Sequence, residues 1–179
     1  MAALTGGNGA AGRLRFDGCQ RICAPVMRCC RGITKRTHPL STQGLEVIDH
    51  TVQLTHEWIN DLAERLDWAD KRQVLMLLRS TLTALRDLLS VNEAAQMSAQ
   101  LPLLIRGLFY ENWAPASRAE RTAAAFVARV SERLEMDAEY RGEEDITEVF
   151  HLLSARISEG EVADIRQSLP ADIRRLWPG

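Results

Sequence analysis

Ser98–Trp113 reads SAQLPLLIRGLFYENW, and Arg166–Gly179 reads RQSLPADIRRLWPG. Leu-Pro, then Ile-Arg, then Leu with an aromatic residue recur 68 positions apart. Comparing the chain with itself at that offset, without gaps, extends the likeness in both directions. Glu64-Arg65-Leu66 falls on Glu132-Arg133-Leu134, and Leu78, Leu82, Leu85 and Leu89 fall on Ile146, Phe150, Leu153 and Ile157. Over residues 58–109 there are 12 identities in 52 pairs, and apolar positions mostly face apolar ones. A spacing of this kind is the mark of an internal repeat whose units bury their faces against each other.

The periodicity inside the repeat is helical. Leu45, Ile48, Val52, Ile59, Leu62 and Leu66 follow a 3–4 spacing, with Thr55 at the one polar step. Leu75, Leu78, Leu82, Leu85 and Leu89 repeat the stripe without interruption. Such spacing predicts two amphipathic helices, each with one apolar stripe toward the core. Asp67 or Asp70 is placed to cap the second. Ser90 and Glu93 form a capping box for a short third helix, and Ser158 with Glu161 repeats it. Pro102 suits the start of a fourth helix, carrying Leu104, Ile105, Leu108 and Phe109. In the second copy Gly142-Glu143-Glu144-Asp145 stands where Val74–Leu77 stands in the first, so its middle helix is expected to begin late. The expected fold is therefore all-α. Two tandem related units of about four helices each, residues 45–112 and 113–179, pack into one compact helical domain.

Residues 1–44 differ in kind. They hold seven Lys/Arg and one acid, Asp17, for +6; the remaining 15 basic and 23 acidic residues give −8. The stretch is Gly/Ala-rich at its start and lacks a sustained period, which predicts a disordered basic tail. Three origins fit: translation upstream of a true start such as Met27, an Arg-rich organelle address in which only Ser41 supplies serine, or a functional arm. The acidic body makes nucleic-acid binding by the folded part unfavourable, leaving the tail as its one candidate. No apolar run reaches the length of a membrane span. All four cysteines lie in the tail, which fits a reducing, cytoplasmic setting.

The stretch from Gly44 to Pro115, GLEVIDHTVQLTHEWINDLAERLDWADKRQVLMLLRSTLTALRDLLSVNEAAQMSAQLPLLIRGLFYENWAP, closely resembles the first half of a bacterial family known as domain of unknown function 2267. Ile146–Pro178, ITEVFHLLSARISEGEVADIRQSLPADIRRLWP, resembles its C-terminal half. The resemblance implies an all-helical fold in mostly bacterial, cytoplasmic proteins, and it brings no activity, cofactor or catalytic residue. The family's usual connection between halves is a longer, basic, His-containing linker; ASRAERTAAAF, Ala116–Phe126, is shorter.

Candidate chemistry is sparse. Cys19, Cys23, Cys29 and Cys30, with His38, are the only candidate metal ligands in the tail. Cys-x3-Cys suits half a zinc site, but adjacent Cys29 and Cys30 fit a tetrahedron badly. His50 and His56 are six apart, not the three or four that place two ligands on one helical face. Glu57, Asp61 and Glu64 share a face, yet the Glu-x-x-His partners of a carboxylate-bridged centre are missing, so a solvated acidic face is expected. Arg79, Arg86 and Arg106 border the apolar stripes, and Arg174 is the counterpart of Arg106. They either pair with carboxylates such as Glu64 or Glu132 to pin helices, or bind an anionic ligand in a groove between the units together with Tyr110 and Trp113. Trp58 and Phe109 read as core. Ser90–Phe109 could pass for helix-turn-helix, but its second helix offers one Arg among apolar residues. No Gly-rich phosphate loop, nucleophile elbow or triad spacing is present. No cofactor is expected. The reading favours a non-enzymatic interaction or ligand-sensing module with a protein partner, itself or another. An unrecognised enzyme or small-molecule binder is the alternative, and nucleic-acid association through the tail a third.

Overall fold

The computed structural model describes residues 46–115, 119–134 and 139–177, which contain eight α-helices and no strand. In order these are α1 (Glu46–Leu66), α2 (Lys71–Arg86), α3 (Val91–Gln100), α4 (Leu103–Phe109), α5 (Ala123–Ser131), α6 (Glu143–Arg156), α7 (Glu159–Ser168) and α8 (Ala171–Arg174). All lie in the compact unit His38–Gly179. The expected tail, with Cys19, Cys23, Cys29, Cys30 and His38, lies outside the described residues.

Helix α2 is the axis. It packs against α1, α4, α5 and α6. A helix surrounded in this way cannot bury one stripe only, and the single Leu row expected for α2 is too narrow. Val74, Leu77, Ser80, Thr81, Ala84 and even Arg86 are buried beside Leu78, Leu82 and Leu85, while Leu75 and Leu89 are half-buried at its margins. Each fully buried Leu contributes ~1.5–3 kcal/mol relative to exposure, so this crowded helix anchors the core. Asp70 caps it, its carboxylate accepting from the Arg72 N–H at 2.8 Å.

Asp67 has a different task. It ends α1 with φ 57°, and the next N–H, Trp68, donates to Ala63 O at 3.1 Å. This is the left-handed closure of a helix that normally employs glycine, since a Cβ is strained there. Asp67 is exposed. Asp67→Gly is expected to stabilise the fold by about 0.5–1 kcal/mol, read as a higher urea midpoint at unchanged slope; a loss of stability would show that the Asp side chain contributes more than its strain costs.

The packing pairs are reciprocal. Helix α1 lies on α6, and their 68-residue counterparts, α5 and α2, lie on each other; α2 meets α6, and α3 meets α7. Local contacts recur as well. Arg106 donates to the carbonyls of Ser98, Ala99 and Leu101, closing α3, and Arg174 donates to those of Gln167 and Leu169, closing α7. The Leu-Pro phrase thus marks where one short helix ends and the next turns back over it, with Ile-Arg supplying a core anchor (Ile105, Ile173) and a C-terminal cap.

Three expectations need correction. The Ser158–Glu161 box is only half formed. At Ser90 both reciprocal bonds are present, but Ser158 N–H donates instead to Gln100 Oε1 at 2.7 Å, and Gln100 Nε2 returns a bond to Ser158 Oγ at 3.0 Å. Helix α3 packs on α7, so its Gln100 reaches the amide that Glu161 would take. Left out of its cap, half-buried beside Asp164 and Glu93, the Glu161 carboxyl is raised above the ordinary range, burial being the first cause. Second, Ile48 and Val52 are not core; α1 runs past its neighbours and leaves both exposed. Third, the arginines do not pair with Glu64 or Glu132, because nearer backbone carbonyls and carboxylates claim them, as described below. The late start of the second middle helix is found: α6 has 14 residues to the 16 of α2.

Candidate functional site

Of the five residues read as a possible groove, α2 supplies Arg79 and Arg86, α4 supplies Arg106, and Tyr110 and Trp113 follow α4 directly. Arg86 is 4% exposed. Its Nε and Nη2 hold Asp87 Oδ1 at 2.8 and 2.7 Å, and its Nη1 donates to Phe109 O at 2.6 Å and Glu111 O at 2.9 Å. Asp87 is held from its other side by Arg129 Nη2 at 3.0 Å. Arg86 therefore closes the C-terminal end of α4 and, through Asp87, links it to α5. Arg79 pairs with Glu111 at 2.5 Å. Its Nε and Glu111 Oε2 are buried without a partner. Arg106 closes α3. Tyr110 Oη lies 2.8 Å from Ser98 Oγ and 3.2 Å from Ala94 O, while its ring packs against Phe109 and Trp113, centroids 5.2 and 5.1 Å away. Arg86 and Arg106 are spent on the protein's own carbonyls and carboxylates, and such an arrangement fixes helices.

A surface cleft of about 560 Å³ lies elsewhere, at the start of α6. Arg65, Arg141 and Arg175 line it with Glu143, Glu144, Glu148, Thr147 and Leu176. Arg141 is engaged: its backbone N–H and guanidinium hold Asp145, and Nη2 also donates to Leu66 O at 2.9 Å. Asp145 is fully buried, and its first effect is to raise the Arg141 pKa. This pair ties the end of α1 to the start of α6 where Gly142, φ 76°, offers no side-chain cap. Three cationic and three anionic side chains leave the cleft without a net field for either sign of ligand.

The third feature is apolar. Val47, Ile48 and Val52 on the opening turns of α1 are 76%, 53% and 40% exposed, and Leu103 and Leu104, opening α4, are 57% and 45% exposed. Helix α4 packs against α1. Ile48 and Val52 keep the 3–4 phase of buried Ile59, Leu62 and Leu66. The stripe is continuous, but the core beneath it ends near Thr51, which is still buried.

The remaining candidates are surface groups. His50 and His56 are exposed. Asp61 pairs with Arg65 and Arg156 at 3.4 and 3.0 Å, Glu57 accepts from Gln53, and Glu64 is exposed. Among the described residues no group of three or more His, Cys, Asp or Glu could hold a metal ion, and no helix is long and apolar enough to cross a membrane. Sequence reading missed the Arg141–Asp145 pair, although an Asp at a core-phase position four residues after an Arg was its signal. It also missed Arg121 in the linker, which donates to Leu88 O at 2.6 Å and Ser168 O at 2.9 Å and so joins the ends of α2 and α7. Asp172 from α8 accepts the Ala123 N–H at 2.7 Å, opening α5, and that bond holds its carboxyl below the ordinary range.

Residues 55–176 match a family model described as uncharacterized conserved protein, DUF2267. The matched span begins a few turns into α1 and ends just before Trp177, so it takes in α2 to α8 and leaves out Val47, Ile48 and Val52. A comparison with curated proteins gives no significant match.

Proposed function

The chain belongs to the DUF2267 family, and from that premise we propose that it is a non-enzymatic interaction module whose docking surface is the exposed apolar end of α1. The observation that carries this reading is the position of Ile48 and Val52. They lie in phase with the buried stripe and yet outside the core, as residues do when a helix continues into an interface. The arginines and aromatics that could have served a catalytic centre are engaged in helix closure instead.

A photo-crosslinking residue placed at Val47 in cells of the native host is expected to capture a protein, and one placed at exposed Arg72 is not. Equal capture from both positions refutes the surface. Turnover of a metabolite panel that is abolished by Arg79→Ala or Glu64→Ala refutes the non-enzymatic reading.

One observation favours a second reading, a small-molecule site: the cleft at the start of α6, lined by Arg65, Arg141 and Arg175. A ligand there binds the folded state and raises Tm. The shift is expected to disappear in Arg175→Ala if the cleft is the site.

A further inference from the structure

We propose that the partner of the exposed α1 surface is a basic amphipathic α-helix of another chain. The inference rests on the interaction reading above and adds the chemistry of what binds. Two features specify it. The first is spacing. Ile48 and Val52 continue the 3–4 row that packs against helices further along α1, so the uncovered end of that row presents ridges and grooves suited to one more helix. The second is charge. Helix α1 carries Glu46, Asp49, Glu57, Asp61 and Glu64 against Arg65 alone, and Glu46 and Asp49 stand in the same turns as the exposed valines and isoleucine. From residue 45 onward 15 basic and 23 acidic residues give −8. An apolar strip rimmed by acids, on a body of the same sign, attracts Lys/Arg-flanked apolar helices and repels acidic ones.

The test uses the full chain and two synthetic helical peptides of about 18 residues, long enough for roughly five turns. Both carry Leu at 3–4 spacing; the other positions are Lys in one and Glu in the other. Fluorescence anisotropy is expected to show saturable binding of the Lys peptide and at least about tenfold weaker binding of the Glu peptide. Raising salt from about 0.05 to 0.5 M should weaken the Lys peptide several-fold without abolishing it, since apolar contact persists when charge is screened. Ile48→Asp with Val52→Asp should reduce its affinity at least about tenfold at an unchanged circular dichroism spectrum and Tm, because both positions are exposed.

Equal binding of the two peptides, or stronger binding of the Glu peptide, overturns the basic-partner inference and leaves the interaction reading standing. Binding of the Lys peptide that is indifferent to the Ile48/Val52 change overturns it too, as diffuse attraction to the acidic body. Binding of neither peptide does the same. A dimer that forms with concentration in sedimentation runs and is lost in Ile48→Asp assigns the surface to a second copy and likewise overturns a basic partner.

Discussion

Arg86→Met is expected to cost about 3 kcal/mol of folding stability, a fall in Tm of roughly 10–15 °C for a domain of this size. Met preserves most of the aliphatic stem, so the loss comes from the guanidinium. Its absence strands the Phe109 and Glu111 carbonyls at the end of α4 and removes two bonds to Asp87. Unsatisfied buried acceptors cost more than the bonds that served them gain. Breaking a buried ion pair typically costs about 3–5 kcal/mol; the lower end applies here because Arg129 still holds Asp87 from its more exposed side. Arg86→Lys should recover little, because a single ammonium cannot reproduce a fork that meets a carboxylate and two carbonyls at once. Urea denaturation of the two variants decides the matter. A Met variant within 1 kcal/mol of the parent would mean that the carbonyls find other donors, and Arg86 would then be free to serve a ligand.

The same residue shows where sequence reading reaches its limit. Apolar spacing identified α1 and α2 because a 3.6-residue period is a local property, visible without neighbours. The Leu-Pro/Ile-Arg phrase located α3, α4, α7 and α8 because helix closure is local too: Arg106 reaches back only as far as Ser98. What a residue does across helices was not legible. Arg86 reads as a stripe-border cation, and only the fold brings Phe109 O within 2.6 Å of it. Gln100 looks like an ordinary helix-end amide, and only the α3–α7 contact turns it into the cap of Ser158. Asp145 reads as part of a first-turn acidic run, although it is fully buried against Arg141. Exposure was misread at Ile48 and Val52 for a related reason: periodicity gives the phase of a stripe and not the point where the core beneath it stops. That point depends on the lengths of the helices packed against α1, and it is the misread residues that form the proposed docking surface.

Trp177→Ala should be the other large loss, about 3 kcal/mol, and it probes the packing of α5 and α6 as Arg86 probes the end of α4. The indole is almost fully buried and stacks on Phe150 with centroids 4.6 Å apart and planes 10° from parallel. Phe150 in turn stacks on Phe126 at 6.1 Å, so three rings drawn from α5, α6 and the segment after α8 form one column. Trp177 Nε1 donates to Ser154 Oγ at 2.8 Å. Ser154 and Trp177 are the 68-residue counterparts of Arg86 and Phe109, which are also in contact. Removing an aromatic side chain from a core typically costs about 3–5 kcal/mol. Trp177→Phe keeps a ring in the column and loses the Nε1–H bond with part of the area, so about 1–1.5 kcal/mol is expected. Ser154→Ala isolates the bond alone, at about 1 kcal/mol or less. The two substitutions share one contact, so combining Trp177→Phe with Ser154→Ala should cost measurably less than their sum. Additive losses in urea denaturation would show that the indole is held by stacking alone.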